Sequence, residues 1–214
     1  FAEELAKSMR EAGTPGAMHP GGLYYSTASI RQELELLAGG WAARDEEPLW
    51  EVGGGFLDPF RSGEDPHPSR EALLAARARQ EERAREMFST ASVVVVTLGL
   101  IETWRSPVTG NTYRQIPHPA VFEDLQAQFH RLTVTEMLAD LERIRDVVCG
   151  QWGAQLVLTT SPVPLHTTFT ELDVRVANCE SKSRVRAAVS EFVEAHPEVH
   201  YFHAYEIVTT AERA

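Results

Sequence analysis

Four short stretches hold the side chains best suited to chemistry. The first is Thr97-Leu98-Gly99-Leu100-Ile101-Glu102-Thr103-Trp104. Its glycine lets the backbone turn sharply off a strand, and Glu102 and Trp104 follow at the exit. A carboxylate there can orient a histidine or accept hydrogen bonds from a sugar, and an indole offers a stacking face. The same two residues serve equally well to cap a turn and to cover the core. The second stretch is Thr159-Thr160-Ser161-Pro162-Val163-Pro164-Leu165-His166. Two prolines fix this exit, and one Ser-Pro or Val-Pro bond is a candidate for the cis form. His166 alone is no sign of a base in a chain with eight histidines.

The third stretch, Asn178-Cys179-Glu180-Ser181-Lys182-Ser183-Arg184, reads as a helix start. Its backbone N–H groups, with Lys182 and Arg184, would receive an anion; a capped amphipathic helix is the alternative. The fourth, Tyr201-Phe202-His203-Ala204-Tyr205-Glu206, presents Tyr205 and Glu206 at a strand's end. Tyr205 can equally be core packing. No phosphate loop, dinucleotide fingerprint, zinc spacing or Gly-x-Ser-x-Gly elbow is present, so no metal or nucleotide cofactor is indicated. Gly53-Gly54-Gly55 precedes no helix and reads as a flexible loop.

Alternating helices and strands must position these residues. Periodicity and punctuation predict helices over 1–12 and Ala28–Leu37, the latter ended by Gly39-Gly40. Trp41–Ser69 reads as a long irregular segment, and Glu71–Phe88 as a charged helix capped by Ser69. Ser92–Leu98, with four consecutive valines, reads as a central strand buried on both faces. Thr103–Phe129 reads as a second long loop. Thr133–Cys149 is a helix opened by the capping box Thr133-Val134-Thr135-Glu136. Gln155–Thr160 and Val199–His203 are strands, separated by a helix over Glu180–Ala195. The alternation points to an open α/β sheet with helices on both faces. In such sheets chemistry gathers outside the carboxyl ends of the strands, which selects Gly99–Trp104, Ser161–His166 and Ala204–Glu206.

At 214 residues the chain reads as one large domain, or at most two small ones, able to bury a real core. Hydrophobic residues at 43% and charged residues at 24% are ordinary for a globular protein. A net charge of −11 argues against nucleic acids and anionic membranes as partners. The longest apolar run, around Val93–Ile101, is far short of the ~20 residues of a membrane helix, so no membrane insertion is expected. Cys149 and Cys179 are too few for a disulfide framework. They read as thiols in a reducing compartment, and with no secretory leader in sight the expected location is cytoplasmic. The helix already under way at Phe1, the missing terminator after Thr209 and the count of three strands suggest a piece of a longer chain, with a further strand upstream.

The ordered set of motifs resembles the GSCFA family of bacterial proteins, named for an opening Gly-Ser-Cys-Phe-Ala. Phe1-Ala2 matches its last two letters. Gly22–Ile30 is similar to the family's glycine–tyrosine segment, and Asp58-Pro59-Phe60-Arg61 to its Asp-Pro-Phe-Arg. Thr97–Trp104 resembles Thr-Leu-Gly-Leu-Thr-Glu-x-Trp, and Ser161-Pro162-Val163-Pro164-Leu165 matches directly. Ser181-Lys182-Ser183 and Tyr201–Glu206 also correspond, with His203-Ala204 where the family has Pro-Ser. The resemblance implies kinship with SGNH (GDSL-like) hydrolases and acyltransferases, and with it a flavodoxin-like three-layer α/β/α sandwich with a mainly parallel sheet.

That kinship also implies a serine nucleophile on an ester, activated by a histidine late in the chain, with oxyanion donors beside the serine and on the next loops. The serine of the opening motif would lie just before Phe1. No histidine follows His203, so the expected late Asp-x-x-His is absent. Where SGNH enzymes carry Gly-x-Asn-Asp this chain has Gly99-Leu100-Ile101-Glu102, and Ile101 cannot donate from its side chain. Ser26, where relatives often have Asn, is the substitute donor.

The expected function is an ester hydrolase or O-acyltransferase on a sugar or polysaccharide ester, with no cofactor. Glu102 and Ser26 are its catalytic candidates, and Tyr25, Trp104, Ser161, Lys182, Tyr205 and Glu206 would bind substrate. A non-catalytic carbohydrate-binding or scaffold module on the same fold is the alternative, and chemistry on the upstream cysteine is a third possibility.

Overall fold

The computed structural model describes residues 2–40, 43–61 and 65–210. Its first helix, α1 (Ala2–Glu11), leads through a loop to α2 (Thr27–Leu37), where Ile30, Leu34 and Leu37 form a buried stripe. A 3-10 turn at Ala43–Glu46 and a small hairpin follow, β1 (Trp50–Val52) with β2 (Gly55–Leu57). The long helix α3 (Arg70–Thr90), capped by Ser69, feeds β3 (Val93–Leu98). Next come β4 (Glu102–Arg105), α4 (Pro119–Leu125) and β5 (Gln128–Arg131). Helix α5 (Val134–Arg145) has the expected capping box and relaxes into a π turn at Asp146–Gln151. Then come β6 (Gln155–Thr160), α6 (Val174–Ala195), β7 (His200–Tyr201) and α7 (Ala204–Thr210).

The fold is α/β. Its main sheet has the order β3-β6-β7 and is parallel, with Val93 opposite Gln155 and Leu98 opposite Thr160. Parallel neighbours need crossover connections, supplied here by the β4–α5 segment and by α6. One core unites the sheet with α2, α3, α5 and α6. It holds Leu34, Phe88, Val96, Leu141, Leu156 and Val189. A smaller cluster of Trp50, Val52, Phe60 and Tyr113 fills the hairpin end, with Trp104 packed against it. No described helix is long and apolar enough to cross a membrane.

Several expectations need correction. The valine run is buried on one face only. Val94, Val96 and Leu98 point into the core, whereas Val93 and Val95 are 49% and 40% exposed. The expected cover on both faces is therefore not seen for these valines. Within 103–129, β4 and β5 pair antiparallel, because Glu102–Arg105 and Gln128–Arg131 supply two matching four-residue strands. The short apolar content of each hid them between prolines. Gly53-Gly54 is no flexible loop but a tight hairpin turn with positive φ at both residues (59° and 79°), the conformation that favours glycine. Helix α6 begins at Val174 and is capped by the Asp173 carboxylate, so Asn178–Arg184 lies inside the helix. Its backbone N–H groups are therefore spent on the helix ladder. Neither Ser161-Pro162 nor Val163-Pro164 is cis. The expectations that fall on Phe1, Trp41 and the last four residues lie outside the described residues.

Candidate functional site

Parallel pairing carries the carboxyl ends of β3 and β6 to one edge of the sheet, and three distant motifs meet there. The chain leaves β3 at Gly99. The Gly99 and Leu100 amides both donate to the Tyr25 carbonyl, at 3.0 and 3.1 Å. The Ile101 amide donates to Ser181 Oγ at 3.2 Å. The Gly99 carbonyl in turn accepts from Ser181 Oγ at 3.3 Å and from Lys182 Nζ at 3.2 Å. From β6, the Ser161 amide donates to the Leu98 carbonyl at 2.7 Å. Tyr25, Gly99, Ser161 and Lys182 are therefore one cluster built from four separate segments.

Gly99 serves this cluster through its backbone amide and carbonyl rather than through a strained conformation. Its φ is not in the left-handed region, which corrects the expectation of a glycine-only turn. A Cβ there would lie 3.5 Å from the Ser161 Cβ and 3.8 Å from Lys182 Nζ, ordinary contact distances. Gly99→Ala is expected to keep or slightly raise stability, by up to about 1 kcal/mol, because it restricts the unfolded chain. Urea denaturation checks this, and a loss beyond about 1 kcal/mol would contradict it.

Lys182 is the unusual group. Its residue is 2% exposed. Among the described residues no carboxylate pairs with it, and the Gly99 carbonyl is its one hydrogen-bond acceptor. Burial alone pulls its pKa from 10.5 down to about 8. Lys7 and Lys182 are the only lysines among the 20 Lys and Arg residues of the chain. Arginine is used almost everywhere else, so a lysine in the most secluded position is a specific choice.

The other expected site residues are placed differently. Ser26 is buried and caps α2: its Oγ accepts from the Ser29 amide at 3.2 Å and shares a hydrogen bond with Ser29 Oγ at 2.9 Å. Ser26→Ala is expected to cost about 1 kcal/mol in a thermal or urea melt, the usual worth of an N-cap. Glu102 faces the loop after β6. Its carboxylate accepts from the Thr168 hydroxyl at 2.5 Å and from the Phe169 amide at 2.9 Å. No histidine bonds to it among the described residues. Trp104, two residues on, meets Phe122, Phe129 and Phe169 with centroids 5.0–5.3 Å away. Glu102 and Trp104 therefore tie down the segment that connects β6 to α6.

Glu206 lies with Arg186 (2.7 Å) and the Tyr201 hydroxyl (2.9 Å). Burial works to raise its pKa, but the Arg186 guanidinium and these hydrogen bonds win and hold it low. Tyr205 is half-buried on α7, and its carbonyl accepts from Thr209. No described contact joins either residue to Lys182 or Gly99. His166 makes no hydrogen bond among the described residues.

Sequence reasoning missed Ser181 as a two-way clamp on the Gly99 turn, although it stood beside Lys182 in the motif. It also missed Thr97 and Thr159. These threonines face each other in register at the strand ends, and their buried hydroxyls have no hydrogen-bond partner. Their signal was a threonine one residue before the end of each strand.

The fold and this cluster define an α/β protein whose motif residues gather at the carboxyl ends of a parallel sheet, the usual working edge of such sheets. The chain belongs to the GSCFA family, whose model matches residues 1–214. Neither the curated proteins nor the solved structures contain a match to it.

Proposed function

We propose that the protein is an SGNH-like serine ester hydrolase or O-acyltransferase acting on a sugar or polysaccharide ester, built as a flavodoxin-like three-layer sandwich. The observation that carries this reading is the convergence of Tyr25, Gly99, Ser161 and Lys182 at the carboxyl ends of β3 and β6. The serine of the family's opening motif, just upstream of Phe1, is the nucleophile. It attacks the ester carbonyl as a base takes its proton, and the alcohol departs with that proton to leave an acyl-enzyme. Water completes hydrolysis, and a sugar hydroxyl completes transfer.

Tyr25, Ser161 and Lys182 line the reacting end. Trp104 and its aromatic neighbours, held against the post-β6 loop by Glu102, offer the sugar a face, and Tyr205 and Glu206 form the outer rim. Glu102 acts by positioning that loop. The chemistry needs no cofactor, and the unpaired thiols Cys149 and Cys179 suit a cytoplasmic setting.

The test is acyl release from p-nitrophenyl acetate and from O-acetylated sugars by the protein carrying its upstream residues. Turnover that disappears with serine-to-alanine substitution at the opening motif supports the reading. One observation favours a second reading, a non-catalytic carbohydrate-binding module: the Gly99, Leu100 and Ile101 amides are all engaged, so this turn offers no free backbone donor to an oxyanion. Sugar binding without turnover would favour that module.

A further inference from the structure

An ammonium group has three donors, and among the described residues Lys182 spends one, on the Gly99 carbonyl. The other two point into surroundings almost closed to water. The charged groups on neighbouring elements are committed elsewhere. Asp140 of α5 is held by Thr27 and Arg31. Glu206 of α7 is held by Arg186 and Tyr201. Glu180, two residues back on α6, is held by Arg131 and Arg184. The other groups gathered around Gly99 are Ser161, the Ser181 hydroxyl and the Tyr25 backbone carbonyl, none of them a carboxylate. Of the other buried cations, Arg61 has Glu33 within 3.5 Å, and Arg114 lies over the Tyr24 ring and donates to the Gly21 and Leu23 carbonyls.

A buried cation with spare donors and no counter-charge is costly. It is retained where a ligand supplies the missing acceptor.

We propose that Lys182 is the anion-holding group of this site, its ammonium receiving a carboxylate or the oxyanion that develops on an acyl carbonyl at the carboxyl ends of β3 and β6. It takes the place of the backbone donors that Gly99, Leu100 and Ile101 no longer offer. The oxyanion role rests on the ester chemistry proposed above; the carboxylate site does not. No covalent bond to Lys182 is involved. The ammonium keeps its protons and stabilises charge as it forms on oxygen.

The test uses the full-length protein with its lysine side chains labelled for NMR, the Lys182 signal being identified by its loss in Lys182→Arg. Sodium acetate is the probe. The Lys182 signal should shift saturably as acetate is added and its titration should move to higher pH, while Lys7 stays unchanged. A Lys182 signal that is unmoved, or that follows Lys7, overturns the proposal. Turnover of p-nitrophenyl acetate gives the second arm. Lys182→Met should lower kcat about 100-fold, the scale of losing one oxyanion donor, with little change in KM. Ethylammonium should restore part of the loss in Lys182→Ala, which a merely structural lysine would not allow. Unchanged kcat in a folded Lys182→Met removes the oxyanion role. If the wild-type protein has no esterase activity, the ester reading fails by itself, and the acetate titration still decides the anion site.

Discussion

Lys182→Met should make the protein more stable at neutral pH, by about 1–3 kcal/mol. In the folded chain burial holds the amine near pKa 8, against 10.5 when exposed. Between those values the unfolded chain binds more protons than the folded one, so wild-type stability rises with pH across that window. Below pH 8 the full penalty of the buried charge is present. Its size, about 2.5 pK units, is about 3 kcal/mol. Methionine has a similar shape and no charge, and the Gly99 carbonyl keeps Ser181 Oγ as a donor, so only the hydrogen bond from the amine is lost, worth about 1 kcal/mol. Urea denaturation at pH 7 and again at pH 10.5 checks this: the advantage of the variant should be clear at the lower pH and shrink at the higher. A variant less stable than the wild type at pH 7 would mean that the amine has a counter-charge. A gain in stability paired with a loss of function is the mark of a site kept against the interest of the fold.

Arg61→Leu should have the opposite effect, a loss of about 3–5 kcal/mol. Arg61 closes the Asp-Pro-Phe-Arg motif, and its side chain is 2% exposed. It lies 3.5 Å from Glu33 and 3.8 Å from Glu81. Glu33 is itself buried and sits 3.2 Å from His19, with the Tyr24 phenol close enough for burial and that carboxylate to push its pKa well up. Gly21 is pressed against the guanidinium so closely that no Cβ would fit. Removing Arg61 takes from the buried Glu33 a cation 3.5 Å away. The double variant Arg61→Leu with Glu33→Gln should recover much of the loss, because the buried carboxylate charge goes too. A single-variant loss under about 1 kcal/mol in urea denaturation would contradict the account. The motif is thus structural: it braces the Gly21–Tyr24 segment, and the next residue, Tyr25, receives the Gly99 and Leu100 amides.

This division between bracing and chemistry was partly legible in the sequence. Helices α3 and α5 could be placed from their caps, Ser69 and Thr133-Glu136, because capping is a local interaction written within four residues, and α2 from its Ile30, Leu34 and Leu37 stripe. The strands β3 and β6 followed from their β-branched runs. Short strands such as β4 and β5 did not, since they are defined by each other across more than twenty residues and have little pattern of their own. The start of α6 was also missed: Asp173 caps it, but with Arg175 and Val176 exposed its first turn gave weak periodicity.

The site was legible as a set of segments but not as a set of contacts. Lys182 and Ser161 were named from their motifs, and the structure joins them at Gly99. Glu102 and Ser26 were named as catalytic, yet their polar atoms are occupied by Thr168 and Phe169 in one case and by Ser29 in the other. Hydrogen-bond partners 66 or 67 positions away, as for Glu102, leave no trace in local spacing.

The central claim is that the serine upstream of Phe1 is a nucleophile working beside this cluster. The most direct measurement treats the protein carrying its upstream residues with a fluorophosphonate and maps the labelled peptide by mass spectrometry. The expected result is a single phosphonyl group on that serine, formed as its oxygen displaces fluoride. A folded protein that takes no label, or takes it on another residue, would contradict the claim.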